Sequence, residues 1–332
     1  MTEKIKIFSG LRPSGILHLG NYLGALKGCL ELQERSDFDC LYSVVDLHGI
    51  TTPYDPKNYQ SRILELISEY LAAGIDPKKS HIFIQSQVPE HMELAYYLST
   101  IYPVSRLEQL PTYKEKKQEQ PRYINMGLLY YPVLMAADIL IYKAKLVPVG
   151  KDQLPHIEVA REMARSFNKY FGQTFPEPQA HLMKGAYIPS LTDEGKMSKS
   201  KPDSFISLLD DLKTIEKKLA KVPTDSGHNK TLPKEGGVLS LLNFVELFQG
   251  LEKKQEYEKL YLTTGLQYGN LKKDLAKSIY QELQPIQEKR NYYADRPKEV
   301  AEILEDGRKY ASNIARETLK EVKEKMGLTS NG

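Results

Sequence analysis

Two short stretches of the 332-residue chain carry residue types suited to phosphate chemistry. The first is Pro13-Ser14-Gly15-Ile16-Leu17-His18-Leu19-Gly20-Asn21. His18 and Asn21 can donate hydrogen bonds to phosphate oxygens, and Gly20 would let a ribose or base come close to a helix backbone. A helix cap and a turn would use the same residues. The second is Gly195-Lys196-Met197-Ser198-Lys199-Ser200. Two lysines three residues apart, in a loop of small residues, suit a mobile clamp on a polyphosphate whose charge shifts during reaction. A charge run is ordinarily a solvated loop, but this pentapeptide is rare by chance and lies downstream of the His18 segment on one chain.

The elements that must hold these stretches follow from hydrophobic periodicity. Short apolar runs at 5–8, 40–45 and 81–85 alternate with helical patterns at 17–33, 56–71 and 90–101. That spacing builds a parallel sheet with right-handed crossovers. A further strand at 145–149 precedes Gly150 and a long amphipathic helix over 153–171. The expected fold is a doubly wound, Rossmann-like α/β domain over 1–204, with an insertion at about 104–144 and the lysine loop at 195–202. The His18 stretch then falls where the first strand hands over to the first helix, at the carboxyl end of the sheet, where ligands bind. The polar segment 113–120 reads as an exposed insertion, by composition a solvated loop. Beyond residue 200 the pattern is helical at 205–222, 238–247, 271–287 and 298–326, giving an all-helical C-terminal domain over 205–332.

Composition narrows the function classes. Lys and Arg number 46 against 43 Asp and Glu, a net charge of +3 that neither advertises nor forbids a nucleic-acid partner. Cys29 and Cys40 are the only cysteines, too few for a disulfide framework or a four-cysteine zinc or iron–sulfur site. The longest nearly uncharged run, 128–142, is well short of the roughly 20 apolar residues of a membrane helix. No signal or transit pattern precedes the first strand, so the cytoplasm is the expected location and no membrane partner is expected.

Together the two stretches resemble the signatures of class I aminoacyl-tRNA synthetases, His18-Leu19-Gly20-Asn21 standing for HIGH and Lys196–Ser200 for KMSKS. More narrowly, Phe8-Ser9-Gly10, Val45-Asp46-Leu47-His48, the run Tyr131 to Leu140, and Val147-Pro148-Val149-Gly150-Lys151-Asp152-Gln153 resemble the bacterial tryptophanyl branch. The resemblance spans essentially the whole chain and implies ATP-dependent activation of L-tryptophan and its transfer to tRNA(Trp). A tyrosine-specific relative, or a silent synthetase-like RNA-binding or regulatory protein, is the competing implication. ATP is expected at Arg12, His18, Gly20, Asn21, His48, Gly150, Asp152 and the loop Lys196, Met197, Ser198, Lys199, with Lys116 reaching the phosphates from the insertion, or Lys114 if the register slips. His18, Asn21, Lys116, Lys196 and Lys199 carry the catalytic expectation. Mg²⁺ is expected on the ATP phosphates, with no metal held by protein side chains alone, no zinc and no iron–sulfur cluster. An anticodon-binding role falls to the helical domain, and a homodimer is implied. The apolar stretches 127–142 and 102–110 offer hydrophobic surface for it.

The amino-acid pocket is expected around one helix. Tyr131, Met135 and Asp138 fall at i, i+4 and i+7 on one face, and Asp138 is the only charge between residues 128 and 142. A carboxylate on an apolar face needs a donor. An internal Arg, Lys or backbone N–H is the ordinary partner, but Phe8, Met135, Val147 and Val149 would form a flat slot and an indole carries one N–H at its edge. Asp138 is thus assigned to the indole nitrogen, Tyr131 and Gln153 to the α-amino group, and Arg12 to the substrate carboxylate.

Overall fold

The computed structural model describes residues 4–13, 15–119, 121–182, 188–192, 195, 197 and 202–328. Five strands, β1 (Ile5–Leu11), β2 (Phe38–Val44), β3 (Ser80–Ile84), β4 (Leu146–Val149) and β5 (Gln179–Leu182), form one parallel sheet in the order β3-β2-β1-β4-β5. Register is continuous from Ile5 opposite Phe38 to Leu11 opposite Val44, while β1 meets β4 at Ile7 opposite Leu146. The chain winds outward from β1 in both directions. The crevice between the carboxyl ends of β1 and β4 is therefore the topological switch point, where an open α/β sheet binds ligands.

Period-2 alternation assigns each strand's residues to two cores. Ile7, Leu11, Cys40, Tyr42 and Ile82 face one, and Phe8, Leu41, Phe83, Val147 and Val149 face the other. The first helix is an unbroken run of α1 (Leu19–Asn21), a π turn (Tyr22–Leu26) and α2 (Lys27–Gln33). Next come α3 (Asp46–Gly49), α4 (Tyr59–Ala72), α5 (Glu90–Ser99), α6 (Val104–Glu108), α7 (Pro111–Glu119) and α8 (Met126–Leu140). Asn125 starts α8 by accepting the Leu128 N–H at 3.0 Å. Lys143, at φ 50°, turns the chain from α8 towards β4. α9 (Leu154–Phe171) then lies against α8.

Four long helices dominate the C-terminal part: α11 (Gly236–Gln249), α12 (Leu251–Leu262), α13 (Tyr268–Ala294) and α14 (Pro297–Lys325), preceded by α10 (Leu212–Ala220). They are not packed as a separate body. α13 lies on α4, and α14 crosses β3 and α5, where Tyr310 stacks on His81 at 3.6 Å and donates to Asp39 at 2.6 Å. Ala311, Ala315, Leu319 and Val322 complete the same core as Phe8 and Leu41. The change at residue 205 is thus a change of element type within continuous packing.

Several details differ from the sequence reading. β5 was not anticipated: it is an edge strand with three of its four residues exposed, so it lacks an apolar run. Of the polar stretch 113–120, residues 113–119 form most of helix α7 rather than a loop. Segment 205–208 opens no helix: Ser207 bridges His18, and Ile206 and Leu208 hydrogen-bond to Leu19 and Leu17 of the first motif. Finally, the apolar helix α8 is mostly core, with Val133, Ala136, Ala137, Ile139 and Leu140 buried, and Tyr102, Leu107 and Leu110 are buried beside it. These stretches therefore supply little of the surface expected for dimerisation. Among the described residues no helix is long and apolar enough to cross a membrane.

Candidate active site

The switch point is built first by the turn after β1. His18 is the N-cap of α1, extended at φ −128°, and its backbone N–H donates to Asn21 Oδ1 at 3.3 Å. Because Oδ1 accepts, the other half of the Asn21 amide is a donor. The His18 ring is buried against Phe205, centroids 5.3 Å apart. A Cβ at Gly20 would stand 2.8 Å from that ring and 3.5 Å from Met197 Cβ, so only glycine fits. Met197 is buried, and its N–H donates to the Ile188 carbonyl at 3.2 Å. The two sequence motifs thus meet at Gly20. The downstream segment is tied in as well: Leu19 N–H donates to Ile206 O and Leu208 N–H to Leu17 O, both at 3.0 Å. Lys196, Ser198 and Lys199 lie outside the described residues.

Across the crevice, Gly150 follows β4, and Asp152 is exposed on the one-turn helix Lys151–Gln153, accepting from Gln153 Nε2 at 2.8 Å. Arg12 is exposed and donates to Thr52 Oγ1 at 3.3 Å. Its charge reaches the Tyr131 hydroxyl, whose pKa burial raises, the Thr112 hydrogen bond and Arg12 acting against it and Glu115 with it. Tyr131 donates to Thr112 Oγ1 at 2.7 Å and lies 2.7 Å from His156 Nε2. That contact anchors α7 to α8 and α9. Lys116 sits one helical turn beyond Thr112, on the same face of α7, whereas Lys114 points to solvent. Of the two lysines, Lys116 is the less exposed. It now pairs with Glu119 at 2.8 Å.

Asp138, 1% exposed, sits in a fully formed polar nest. Its Oδ2 lies 2.7 Å from His48 Nε2, and its Oδ1 accepts from Gln85 Nε2 at 2.7 Å and lies 2.6 Å from His91 Nδ1. His91 Nε2 in turn lies 2.6 Å from the Tyr142 hydroxyl. Burial alone would push the Asp138 carboxyl up, but the hydrogen bonds from His48 and His91 win and hold it at about 2. The premise that this carboxylate lacks a donor is therefore corrected. Its partners are internal, and they are histidines and an amide rather than the Arg, Lys or backbone group first weighed. His48, expected beside the nucleotide, is committed through Nε2 to Asp138 and lies edge-on to Tyr131. Phe8, Val147 and Val149 belong to one core with Met135 packed on its rim, and Phe8 stacks on Tyr142 at 5.6 Å.

Five participants were missed by sequence reading: Gln85, His91, Thr112, Tyr142 and His156. A signal existed for two. Gln85 directly follows the buried strand β3, at the carboxyl end where ligands gather, and His156 occupies the apolar face of α9 with Ala160, Met163 and Phe167. Burial lowers the pKa of His156, Asp152 partly opposing and His48 reinforcing, so the ring is neutral near pH 7.

A parallel sheet whose switch point carries a histidine-capped helix start, a buried methionine from a lysine loop and a Gly-x-Asp-Gln turn defines a nucleotide-binding enzyme of the class I synthetase type. The family model for class I tRNA synthetases (W and Y) matches residues 1–284, and the chain belongs to that family. It is 44% identical to the tryptophan–tRNA ligase of Caldanaerobacter subterraneus subsp. tengcongensis, covering 97% of this chain and 98% of that protein. The crystal structure of tryptophanyl-tRNA synthetase from Campylobacter jejuni complexed with ADP and tryptophan is similar at TM-score 0.87 and 34% identity, covering 98% and 100% of the two chains. That of the Mycoplasma pneumoniae enzyme is similar at TM-score 0.84 and 32% identity, covering 98% and 99%.

Proposed function

We propose that this chain activates L-tryptophan with ATP and transfers it to tRNA(Trp). The observation that carries the amino-acid choice is the donor count at Asp138. An ionised carboxylate has about four acceptor sites. Oδ1 is matched with two donors and Oδ2 with one, which leaves Oδ2 able to accept one more, and an indole offers one N–H. Phe8, Met135, Val147 and Val149 would supply apolar walls for the indole, while Tyr131 and Gln153 serve the α-amino group and Arg12 the carboxylate.

ATP would lie across the switch point. Asp152 suits the ribose hydroxyls, which are donors, and Gly20 admits the nucleotide against the helix start. The Asn21 amide N–H and His18 face phosphate oxygens, and Lys116, Lys196 and Lys199 close around them. The substrate carboxylate is already a nucleophile at neutral pH. It forms a bond to the α-phosphorus, the bond from that phosphorus to the bridging oxygen breaks, and pyrophosphate leaves with the electron pair. A hydroxyl of the terminal tRNA adenosine then attacks the aminoacyl carbonyl and AMP departs. Catalysis is therefore positioning and charge stabilisation rather than proton abstraction in the first step. Among the described residues no three His, Cys, Asp or Glu side chains stand close enough to hold a metal. Mg²⁺ would arrive on the ATP phosphates.

A homodimer in the cytoplasm completes the proposal. Its support is the exposure of Met92 (44%) and Tyr96 (64%) on α5 and Met126 (72%) on the neighbouring α8. The deciding experiment is ATP–pyrophosphate exchange across all twenty amino acids. Exchange driven by tryptophan alone is expected. Exchange driven by tyrosine would mark the tyrosine-specific alternative, and none with any amino acid would mark a silent relative.

A further inference from the structure

An ionised carboxylate cannot donate, so each hydrogen bond at Asp138 fixes a proton on its partner. His91 must carry its proton on Nδ1 to reach Oδ1. Its Nε2 is then an acceptor, and the Tyr142 hydroxyl, 2.6 Å away, must donate to it. A doubly protonated His91 would instead leave the Tyr142 proton without an acceptor among the described residues. Gln85 is held the same way round, because its Oε1 accepts the Leu47 N–H at 3.2 Å and so turns Nε2 to Asp138. Gln85, His91 and Tyr142 are all fully buried, and Tyr142 is wedged between Phe8 and Phe83, with ring centroids at 5.6 and 5.8 Å. Nothing here is free to rotate into another donor pattern at low cost.

We propose that His91, oriented by Tyr142 and flanked by Gln85, is a specificity-determining positioning residue. It saturates Asp138 Oδ1 so that Oδ2 alone remains for the substrate's N–H. The inference rests on the reading that Asp138 meets the indole nitrogen, and it assigns a role to three residues that never touch the substrate. Removing the His91 donor frees one lone pair on Oδ1 and lets the carboxylate turn. A pocket whose acceptor can turn gains less from an indole N–H, and so discriminates less well against a substrate lacking one. Tyr142 acts one step further back, by keeping the proton of His91 on Nδ1.

The test compares tryptophan with its isostere in which sulfur replaces the indole N–H, using pyrophosphate exchange with the full chain. The ratio of kcat/KM values reports the N–H contact. His91→Leu should reduce that ratio about tenfold or more, while the KM for ATP stays within about twofold. His91→Asn, whose amide N–H can stand where Nδ1–H stood, should restore most of it, and Tyr142→Phe should fall between. Equal losses for both substrates, with the ratio intact in His91→Leu and Tyr142→Phe, would overturn the proposal and make the relay merely structural. If His91→Leu does not fold, His91→Asn and Tyr142→Phe still decide, since the proposal requires Tyr142→Phe to lower the ratio more than His91→Asn does. Asp138→Ala separates the two layers. Loss of the ratio there with retention in every relay variant sinks only the positioning role, whereas retention in Asp138→Ala itself sinks the indole assignment beneath it.

Discussion

The two halves of the crevice are built on opposite plans. Around Asp138 the polar groups are buried, His48 partly so, and already bonded to another part of the fold, drawn from α3, α5, α8 and the turn after β3. On the nucleotide side the charged groups are exposed or half-exposed and occupied with near neighbours, Arg12 with Thr52, Lys116 with Glu119 and Asp152 with Gln153. A buried, preorganised acceptor discriminates between amino acids because a wrong partner leaves it unsatisfied. Exposed charges contribute little until a polyphosphate draws them together, so they can act where charge develops during reaction. In the proposed function, selection and catalysis are thus separated by burial.

The sharpest way to break that contrast is to remove the loop lysines. Lys196→Ala with Lys199→Ala should lower kcat by about 10³-fold or more with little change in the KM for ATP. A rise in that KM alone would mean they bind the ground state. Next in size, Lys116→Ala should cost about 10²-fold in kcat while Lys114→Ala leaves turnover within about twofold. The reverse order, measured by the same exchange kinetics, would show that α7 presents its other face. Thr112→Val is expected to be milder, about tenfold in kcat, because it loosens the anchor of α7 on Tyr131 and His156 without removing a charge. An unchanged kcat would show that the anchor is not needed to place Lys116.

The smallest expected effect concerns pH. His156 is held neutral by burial, so its folded pKa lies below the unfolded value. As pH falls below about 6.5 the unfolded chain takes up a proton that the folded chain resists, and stability falls. Asp138 works in a different window: its carboxylate, with its pKa held at about 2, contributes stability fully above the unfolded value and loses it only as pH falls towards that figure. Thermal melts between pH 7.5 and 5.5 should therefore show a loss that His156→Gln reduces. An identical loss in that variant would remove His156 from the explanation.

How much of this was legible beforehand follows the same division. Strands β1 to β4, the helix carrying Asp138 and both phosphate-type motifs stood out because they combine strong periodicity with rare local patterns. β5 was invisible, since the edge strand Gln179–Leu182 has almost no buried face, and α7 was hidden because a helix without buried residues has the composition of a loop. The relay behind Asp138 could not be assembled from sequence, although Gln85 carried a signal of its own at the end of β3. Gln85, His91 and Tyr142 lie 53, 47 and 4 positions from Asp138 along the chain, the first two in different elements, and only packing brings them to one carboxylate. Periodicity did single out a buried carboxylate, but the donors it was expected to lack are supplied internally.

The central claim is that one buried carboxylate chooses the amino acid while the exposed charges run the reaction. The most direct measurement is the kcat/KM ratio for tryptophan over phenylalanine in Asp138→Ala beside the unaltered chain, with the KM for ATP followed in the same assays. The ratio should collapse, from a discrimination that can reach about 10⁴ for a site built around a hydrogen bond, through a raised KM for tryptophan and with ATP affinity nearly unchanged. Full discrimination in Asp138→Ala, or a loss expressed mainly in ATP binding, would contradict it.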